Sequence, residues 1–380
     1  MPAVACERSH GARYGLASRP ADGTAVLNVL TALALIVLPQ IDDGPYDLAF
    51  VEVRAGIWMA YRPDPYRSPV FGNVTIVLTD QDVVVVDAGS SPRAARHVVA
   101  KIRELTDLPV TTLVNTHGHE DHVLGNQAFL EAWPDVQIVA RPGTRNYLES
   151  GRVQARVLAF NRNMTETQNA GDAEADRVAR RGLTGDTQVA AHLRRYYEQD
   201  IYAVRSEYQD VRVVPPGRVF EGRMVLERPG RTIELLDLGF GKAGSDVVVY
   251  LPAERLAIAG DIVTHPIPYG FARLQTEWLA TLKGLVELDF DVLVPGHGET
   301  LVDKDYVRQV IELVEFEVAA VRESVRDGRD AAATAWDITF AGWAERFVGR
   351  DPIGLYYFNE WYVKPAVERA HAELSGSRRD

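Results

Sequence analysis

The sequence predicts an α/β fold built from two similar halves, each of which places an acidic residue at the end of a buried strand. In the first half, the four valines Val83–Val86 lead directly into Asp87. A short β-branched run between turn signals is typical of a strand buried on both faces. In the second half, Leu256–Ile258 leads into Asp261 after a similar hairpin. Helical segments follow strands in both halves, which favours an α/β architecture.

The first half begins near residue 46 and alternates strands with helices. Ser91 is predicted to cap a helix that has Pro92 in its first turn. A second helix is predicted from about Leu124 to Trp133. Apolar alternation and β-branched content predict the strands Asp47–Val53, Ile57–Tyr61, Asn73–Leu78, Val83–Gly89, Thr112–Val114 and Gln137–Ala140.

A polar segment rich in Arg, Ala and Glu, from about residue 144 to 207, predicts a helical insertion. The second half then resumes the strand pattern, with Val211–Val214, Met224–Leu226, Thr232–Leu236, Val247–Leu251, Leu256–Ile258 and Asp291–Pro295. A helix around Trp278 follows Asp261, and both Trp278 and Phe271 are expected in the core. We expect one domain over residues 46–305 and a helical extension packed on it over 306–380, which begins with a long helix after Asp303.

Residues 1–45 are predicted to form a disordered leader. The apolar run 25–38 is too short to span a membrane comfortably, so no stable membrane insertion is expected. Its length suits the central region of a signal peptide, with arginines upstream. This favours export to the periplasm or the extracellular space; the alternative is a cytoplasmic protein in which the run packs on the body as a helix.

Composition excludes several classes of function. The chain is 46% hydrophobic and 25% charged, as is typical of soluble globular proteins. Its net charge of −12 argues against nucleic acid as a partner. The only cysteine is Cys6, so a metal site in the body has to use His, Asp and Glu.

The segment 115–122 holds three of the nine histidines, His117, His119 and His122, with Asp121 beside the last. Imidazole and carboxylate groups are the ligands that zinc and similar cations prefer. Two histidines at i and i+2 can point the same way from an extended turn, and the Asp-His pair can turn toward a second point nearby. The loop therefore predicts parts of two metal sites, although a polar surface loop with chance histidines would look similar in isolation.

Together with distant residues, this loop resembles the metallo-β-lactamase superfamily over about residues 47–305. The resemblance rests on four features in order: a strand ending in Asp87, then His117-x-His119-x-Asp121-His122, Gly260-Asp261 and Gly296-His297-Gly298. It implies a four-layer αβ/βα sandwich with metals at the sheet edge. It also implies a first site with His117, His119 and a third histidine, and a second site with Asp121, His122 and His297. Asp261 would bridge the two sites, and Asp87 would support the metal loop.

The sequence departs from this family at the third histidine, where Lys242 stands in the corresponding segment. A protonated lysine cannot ligate a cation. Three interpretations follow. Lys242 could supply the positive charge of an empty first site, leaving one metal in the second; His265, or His192 in the insertion, could complete the first site; or the protein could have lost catalysis.

The resemblance implies a metal-dependent hydrolase that uses a zinc-activated hydroxide, with one zinc ion favoured and two as the alternative. Asp121 would orient the water, and Lys242 would stabilise the developing oxyanion. The family also hosts sulfate-ester, phosphodiester and redox chemistry; for this chain we expect a small-molecule ester, thioester, lactone or β-lactam. The alternative is a non-catalytic metal- or ligand-binding protein on the same scaffold. The sequence does not predict the oligomeric state.

Overall fold

The structure, a computed structural model, describes residues 48–66, 70–197, 208, 210–241 and 243–377. The predicted leader and Lys242 therefore lie outside the described residues. The strands are β1 Ala49–Arg54, β2 Ile57–Tyr61, β3 Val74–Leu78, β4 Val83–Val86, β5 Val110–Val114, β6 Gln137–Ala140, β7 Arg218–Val219, β8 Arg223–Arg228, β9 Arg231–Leu236, β10 Val248–Leu251, β11 Leu256–Ile258 and β12 Val292–Val294. The helices up to the insertion are α1 Pro92–Leu105, α2 Glu120–Val123, α3 Asn126–Ala132, α4 Pro142–Glu149, α5 Arg152–Arg162, α6 Met164–Ala179 and α7 Asp186–Arg195. The later helices are α8 Gln275–Glu287, α9 Asp305–Arg326, α10 Ala331–Asp337, α11 Ala341–Val348, α12 Pro352–Tyr357 and α13 Lys364–Leu374.

Two sheets form the centre of the fold. The first has seven strands in the order β1 to β7, antiparallel up to β4 and parallel from β4 to β7. The second has five strands in the order β12-β11-β10-β9-β8, of which only the pair β11 and β12 is parallel. Because the carboxyl ends of parallel strands meet at one edge of a sheet, the segments after β4, β5, β11 and β12 are the places where a site is expected to form.

Side chains between the sheets and outside them form separate cores, which makes four layers. Val84 and Val86 of β4 pack against the second sheet, beside Val249 and Ile258. Val83 and Val85, which point the other way, pack against helices α1 and α3. The outer face of the second sheet is covered by α8, α9 and the later helices. The predicted four-layer αβ/βα sandwich with a helical insertion and C-terminal helices is therefore confirmed.

Two local predictions were wrong. The helix after the histidine loop begins at Glu120, four residues earlier than predicted, and it breaks before α3 begins at Asn126. The segment 211–214 is not a strand. Its backbone bonds to side chains instead: Arg212 N donates to Gln127 Oε1 at 2.9 Å and Val213 N donates to Gln154 Oε1 at 3.0 Å.

The C-terminal helices continue the outer layer of the second sheet. Trp278 of α8 is fully buried against this layer, as predicted. Between α12 and α13 the chain forms a π-helical turn, Phe358–Val363. Among the described residues, none of the helices combines the length and the apolar character needed to cross a membrane.

Candidate metal centre

Six side chains from both halves of the chain meet at the carboxyl ends of β5, β11 and β12. We call this set the His/Asp centre: His117, His119, Asp121, His122, Asp261 and His297. His117 and His119 lie in the extended segment after β5, Asp121 and His122 begin α2, Asp261 lies in a 3₁₀ turn after β11, and His297 follows β12. The structure thus brings together all six residues that the sequence predicted as metal ligands; their role as ligands stays a prediction.

The first group within the centre is formed by His117, His119 and Asp261. Nε2 of His117 lies 3.0 Å from Nδ1 of His119, and Oδ2 of Asp261 lies 3.5 Å and 3.8 Å from these two atoms. Zinc binds imidazole nitrogen at about 2.0–2.1 Å, so two ligands at a tetrahedral angle would stand about 3.3 Å apart. The spacing of the two nitrogens is close to that value.

The second group is formed by Asp121, His122 and His297. Nε2 of His297 lies 3.0 Å from Oδ2 of Asp121 and 3.3 Å from Nε2 of His122. Oδ1 of Asp261 lies 3.2 Å from Nε2 of both His122 and His297. The two carboxylate oxygens of Asp261 therefore face different groups; that Asp261 bridges two metal sites stays a prediction.

Asp87 fixes the orientation of two histidine rings. Its Oδ2 accepts from Nδ1 of His122 at 2.8 Å and from the hydroxyl of Thr116 at 2.7 Å. The hydroxyl oxygen of Thr116 in turn lies 3.0 Å from Nδ1 of His117, from which it can accept. With Nδ1 engaged in both rings, Nε2 of each faces the centre, as in metal sites where a carboxylate holds the ligand histidine.

The charges of the centre shift the pKa values of its members. Burial would lower the pKa of His297, but Asp261 and Asp121 outweigh it and raise the pKa to about 9. Burial opposes the shift at His122 too, yet Asp261, Asp121 and Asp87 hold its pKa well above the usual value. Burial would raise the pKa of Asp121, but His122 and His297 lower it. The carboxylates of the centre therefore favour the protonated, positively charged form of His122 and His297 when no cation is bound.

The donor set fits a divalent cation. Oδ1 of Asp261 is buried and has no hydrogen bond, and a buried carboxylate oxygen without a donor or a cation is unfavourable. Histidine nitrogen and carboxylate oxygen are ligands for zinc and related ions. The backbone beside the centre is also closely packed, because a Cβ at Gly296 would lie 2.2 Å from Oδ1 of Asp261.

Two cavities adjoin His119. One of about 140 Å³ has Asp121 and Asp261 on one side and Val70, Tyr269 and Phe271 on the other. The other, of about 200 Å³, is lined by Gly118, His119, Gly143, Thr144, Tyr147, Ala243 and Ser245. The centre is therefore open to a small molecule, and its nearer cavity has an apolar wall.

That apolar wall was not predicted from the sequence. Phe271 was expected in the core, but 36% of it is exposed and it lines the cavity. The signal that could have found it is the run Tyr269-Gly270-Phe271, which alternates aromatic residues around a glycine a few positions after Asp261.

His265 and His192, which the sequence offered to complete the first site, belong to neither of the two groups that the described residues form. The ring of His265 packs against Tyr306, with ring centres 5.0 Å apart, and its backbone N donates to the carbonyl of His297 at 3.0 Å. Burial lowers the pKa of His265. Nε2 of His192 lies 3.0 Å from the carbonyl oxygen of Tyr66. His265 therefore contacts the centre through its backbone, and neither histidine belongs to the group of His117, His119 and Asp261.

The family model described as the metallo-beta-lactamase superfamily matches residues 67–297, which is more than half of the chain. A linear primary-alkylsulfatase from Pseudomonas sp. is 22% identical over 252 residues, which cover 64% of this chain and 44% of the relative.

Among solved structures, a stereoselective inverting sec-alkylsulfatase from Pseudomonas sp. is 15% identical with a TM-score of 0.59, covering 85% of this chain and 49% of that one. A metallo-beta-lactamase from Pontibacter korlensis is 18% identical with a TM-score of 0.49, covering 70% of this chain and 99% of that one. The chain thus spans less than half the length of the two alkylsulfatases.

Proposed function

Because the chain belongs to the metallo-β-lactamase superfamily, we propose that it is a metal-dependent hydrolase whose reaction takes place at the His/Asp centre. The observation that carries the proposal is the position of Asp261. Its two oxygens face two different groups of ligand atoms, and Oδ1 has no hydrogen bond. Nε2 of His122 can donate to that oxygen only when the ring is protonated, because Nδ1 already binds Asp87. A cation in the second group would be bound by this oxygen and by Nε2 of His122, so that the ring would need no second proton.

We propose zinc as the cation. The second group, with Asp261, would hold one ion; the first group, again with Asp261, would hold another where two are bound. When bound, such an ion acts as a Lewis acid and lowers the pKa of a coordinated water toward about 7.

Asp121 is the member of the centre best placed to exchange protons with a ligand. Its side chain is 18% exposed and lines the 140 Å³ cavity, while Oδ2 is held 3.0 Å from Nε2 of His297. Asp261 is only 5% exposed. With an ion bound, Asp121 would orient the attacking water and accept its proton at the carboxylate oxygen that the ion leaves free, while Asp261 would hold the two groups together.

The apolar wall of the same cavity excludes water and contacts the organic part of a substrate. Val70, Tyr269 and Phe271 lie opposite the two carboxylates. This arrangement suits a small molecule in which a polar ester-type bond adjoins an apolar group.

A sulfate ester of an aliphatic alcohol is the first substrate that we propose to test. The relative with 22% identity is a linear primary-alkylsulfatase. An alkyl sulfate joins an anionic group to an apolar chain, which suits a cavity that has the candidate cation site on one side and an apolar wall on the other. Carboxylic esters, thioesters, lactones and β-lactams are the other substrates proposed, since fold alone does not choose among these reactions.

The experiment measures metal and turnover on the same samples. The purified full chain is analysed by inductively coupled plasma mass spectrometry and assayed with octyl sulfate, 4-nitrophenyl acetate, a thioester, a lactone and nitrocefin. His297→Ala should remove metal and activity together, because Nε2 of His297 contacts the carboxylates of both Asp121 and Asp261. His371→Gln is the matched control, since His371 lies in α13 outside the centre and bonds to the carbonyl of Arg329.

The alternative function makes a different prediction for the same samples. A non-catalytic metal-binding protein would bind the ion and hydrolyse none of the five substrates. Activity that survived His297→Ala and Asp261→Ala would instead contradict the proposed site.

A further inference from the structure

The segment between Asp261 and α8 carries the two aromatic side chains of the cavity wall. We call residues 264–272 the wall loop. Side chains outside this loop hold its backbone at both ends. The hydroxyl of Tyr306 donates to the carbonyls of Thr264 at 2.6 Å and Pro266 at 3.0 Å. Nε2 of the buried Gln275 donates to the carbonyls of Gly270 at 3.0 Å and Ala272 at 3.2 Å.

The middle of the wall loop is held by the C-terminal helices. The backbone N of Gly270 donates to the carbonyl of Trp361 at 2.7 Å. A Cβ at Gly270 would stand 2.4 Å from the carbonyl oxygen of Tyr362 and 2.8 Å from Cβ of Ala366. Only glycine fits at this contact, so the loop and the π-helical turn pack backbone against backbone.

A line of ring contacts runs from the same turn into the centre. The Trp361 ring meets Tyr269 edge-on, with centres 5.3 Å apart and planes at 75°. Tyr269 in turn lies 5.1 Å from the ring of His297, and only 9% of it is exposed. On its other side Trp361 packs against Tyr357 at 4.2 Å. Single π-helical turns add one residue to a helix and re-aim the side chains that follow, and they are frequent at functional sites.

We propose that Trp361 is a positioning residue for this site: it holds Tyr269 against His297 and so sets how large an apolar group the cavity accepts. Tyr269 forms the wall, and Trp361 acts through it. With a smaller residue at 361, Tyr269 keeps its edge-on contact with Phe271, 5.9 Å away, but loses the one with Trp361. Tyr269 can then turn away from His297, which widens the apolar side of the cavity. The C-terminal helices thereby contribute to specificity.

The first test compares selectivity, and it rests on the proposed function. Trp361→Ala and Trp361→Phe are assayed with short-chain and long-chain esters of whichever class the wild type cleaves. Because the cavity widens in Trp361→Ala, the ratio of kcat/KM for the long ester to kcat/KM for the short ester should rise about tenfold, mainly through KM. Trp361→Phe, which keeps an aromatic ring, should stay near the wild type.

Trp343→Ala is the matched control. Trp343 is also a partly buried tryptophan of the C-terminal helices, but its ring packs against Phe316, 5.8 Å away, and not against the wall loop. Its substrate profile should equal that of the wild type. Metal content should be unchanged in all three variants, because neither tryptophan belongs to the centre.

The second test does not need turnover. Binding of ethane-1-sulfonate and octane-1-sulfonate, which cannot be hydrolysed as esters, is measured by calorimetry on the metal-loaded protein. We expect the wild type to bind octane-1-sulfonate more tightly than ethane-1-sulfonate. Because the cavity widens in Trp361→Ala, the ratio of the two affinities should rise about tenfold in that variant.

The outcomes separate the two proposals. An unchanged ratio in Trp361→Ala, or a wild type that does not prefer the longer probe, overturns the role of Trp361. Binding of the probes with no hydrolysis of any ester contradicts the proposed function and leaves the role of Trp361 supported by the binding ratios.

Discussion

Oδ2 of Asp87 lies 2.8 Å from Nδ1 of His122, and this contact decides which nitrogen of the ring faces the centre. A carboxylate can only accept, so Nδ1 carries the proton and Nε2 is left to bind a cation. Asp87 adopts a left-handed backbone conformation, with φ of 61°, at the end of β4. Asn shares this tolerance of positive φ, which makes Asp87→Asn a substitution that changes the hydrogen bond and preserves the turn.

Asp87→Asn should weaken metal binding about 10- to 100-fold, as is usual when the partner of a ligand histidine is lost. The amide nitrogen would face His122 as a donor and favour the tautomer with a proton on Nε2. Competition with a chelator measures the affinity. Asp135→Asn, at an exposed position, should bind metal like the wild type. Equal affinities in the two variants would show that Asp87 does not select the tautomer.

Lys242→Ala tests the residue that the family resemblance predicts in place of the third histidine. If the ammonium group stabilises the developing oxyanion, turnover should fall about 100- to 1,000-fold while metal content stays the same. Lys283→Ala removes an exposed lysine that pairs with Glu315 and should leave turnover unchanged. Loss of metal from Lys242→Ala would show instead that the lysine is a ligand.

The metal-free protein should lose stability as the pH rises from about 6.5 to 9. His297 has a pKa raised to about 9, so the folded state keeps a proton that the unfolded chain releases near 6.5. Below pH 6.5 the raised pKa of His297 contributes its full amount to the free energy of unfolding. Above pH 6.5 this contribution falls by about 1.4 kcal/mol per pH unit until it is lost near pH 9. Thermal unfolding in the presence of a chelator measures the effect.

The same protons compete with the cation, so metal affinity should increase with pH over this window. Metal titrations at pH 6.5 and 8.5 measure this change. In His297→Ala the decline of metal-free stability should become shallower. If the Tm of the metal-free wild type did not change between pH 6.5 and 9, the raised pKa of His297 would be contradicted.

Asp82→Asn should destabilise the fold by about 3 kcal/mol at neutral pH. The buried carboxylate accepts from Thr79 at 2.6 Å, from Thr111 at 2.5 Å and from Nε of Arg228 at 2.7 Å, and so joins the two sheets. Burial alone would raise its pKa, but these partners lower it. Removing one member of a buried ion pair leaves the other unpaired, here Arg228.

Because the pKa of Asp82 is lowered, its contribution is present above pH 4 and is lost as the pH falls through the folded-state pKa. The difference between Asp82→Asn and the wild type should therefore shrink in acid. Urea unfolding at pH 7 and pH 2.5 measures this difference. Asp80→Asn, in the same turn but exposed, should change stability by less than about 0.5 kcal/mol at either pH.

The sequence was most informative where a local signal and the packing agree. The valines of β4 and the cap at Ser91 were both predicted, because a strand buried on two faces and a helix that begins with Ser-Pro have strong local patterns. The hydroxyl of Ser91 accepts from the backbone N of Ala94, and Pro92 is the first helical residue. The six residues of the His/Asp centre were singled out because His117, His119, Asp121 and His122 cluster in one loop and because Asp261 and His297 lie in motifs that resemble the superfamily.

The failures occurred where tertiary contacts replace local preference. Val211–Val214 has the composition of a strand, but the side chains of Gln127 and Gln154 satisfy its backbone, so it needs no neighbouring strand. The place of Tyr269 in the cavity wall depends on its contact with Trp361, which no short-range pattern encodes. The role of Lys242 stays a prediction.

The ligand atoms of the centre come from loops on both sheets: His117 and His122 follow β5, whereas Asp261 and His297 follow strands of the other sheet. A cation there can bind all its ligands only while the two sheets are stacked, so its binding energy opposes their separation. Metal at 100 times its dissociation constant would add about 2.7 kcal/mol to the free energy of unfolding. A catalytic ion would therefore also stabilise the contact between the two halves of the chain. Removal of the metal would make the interface between the sheets more accessible to proteases.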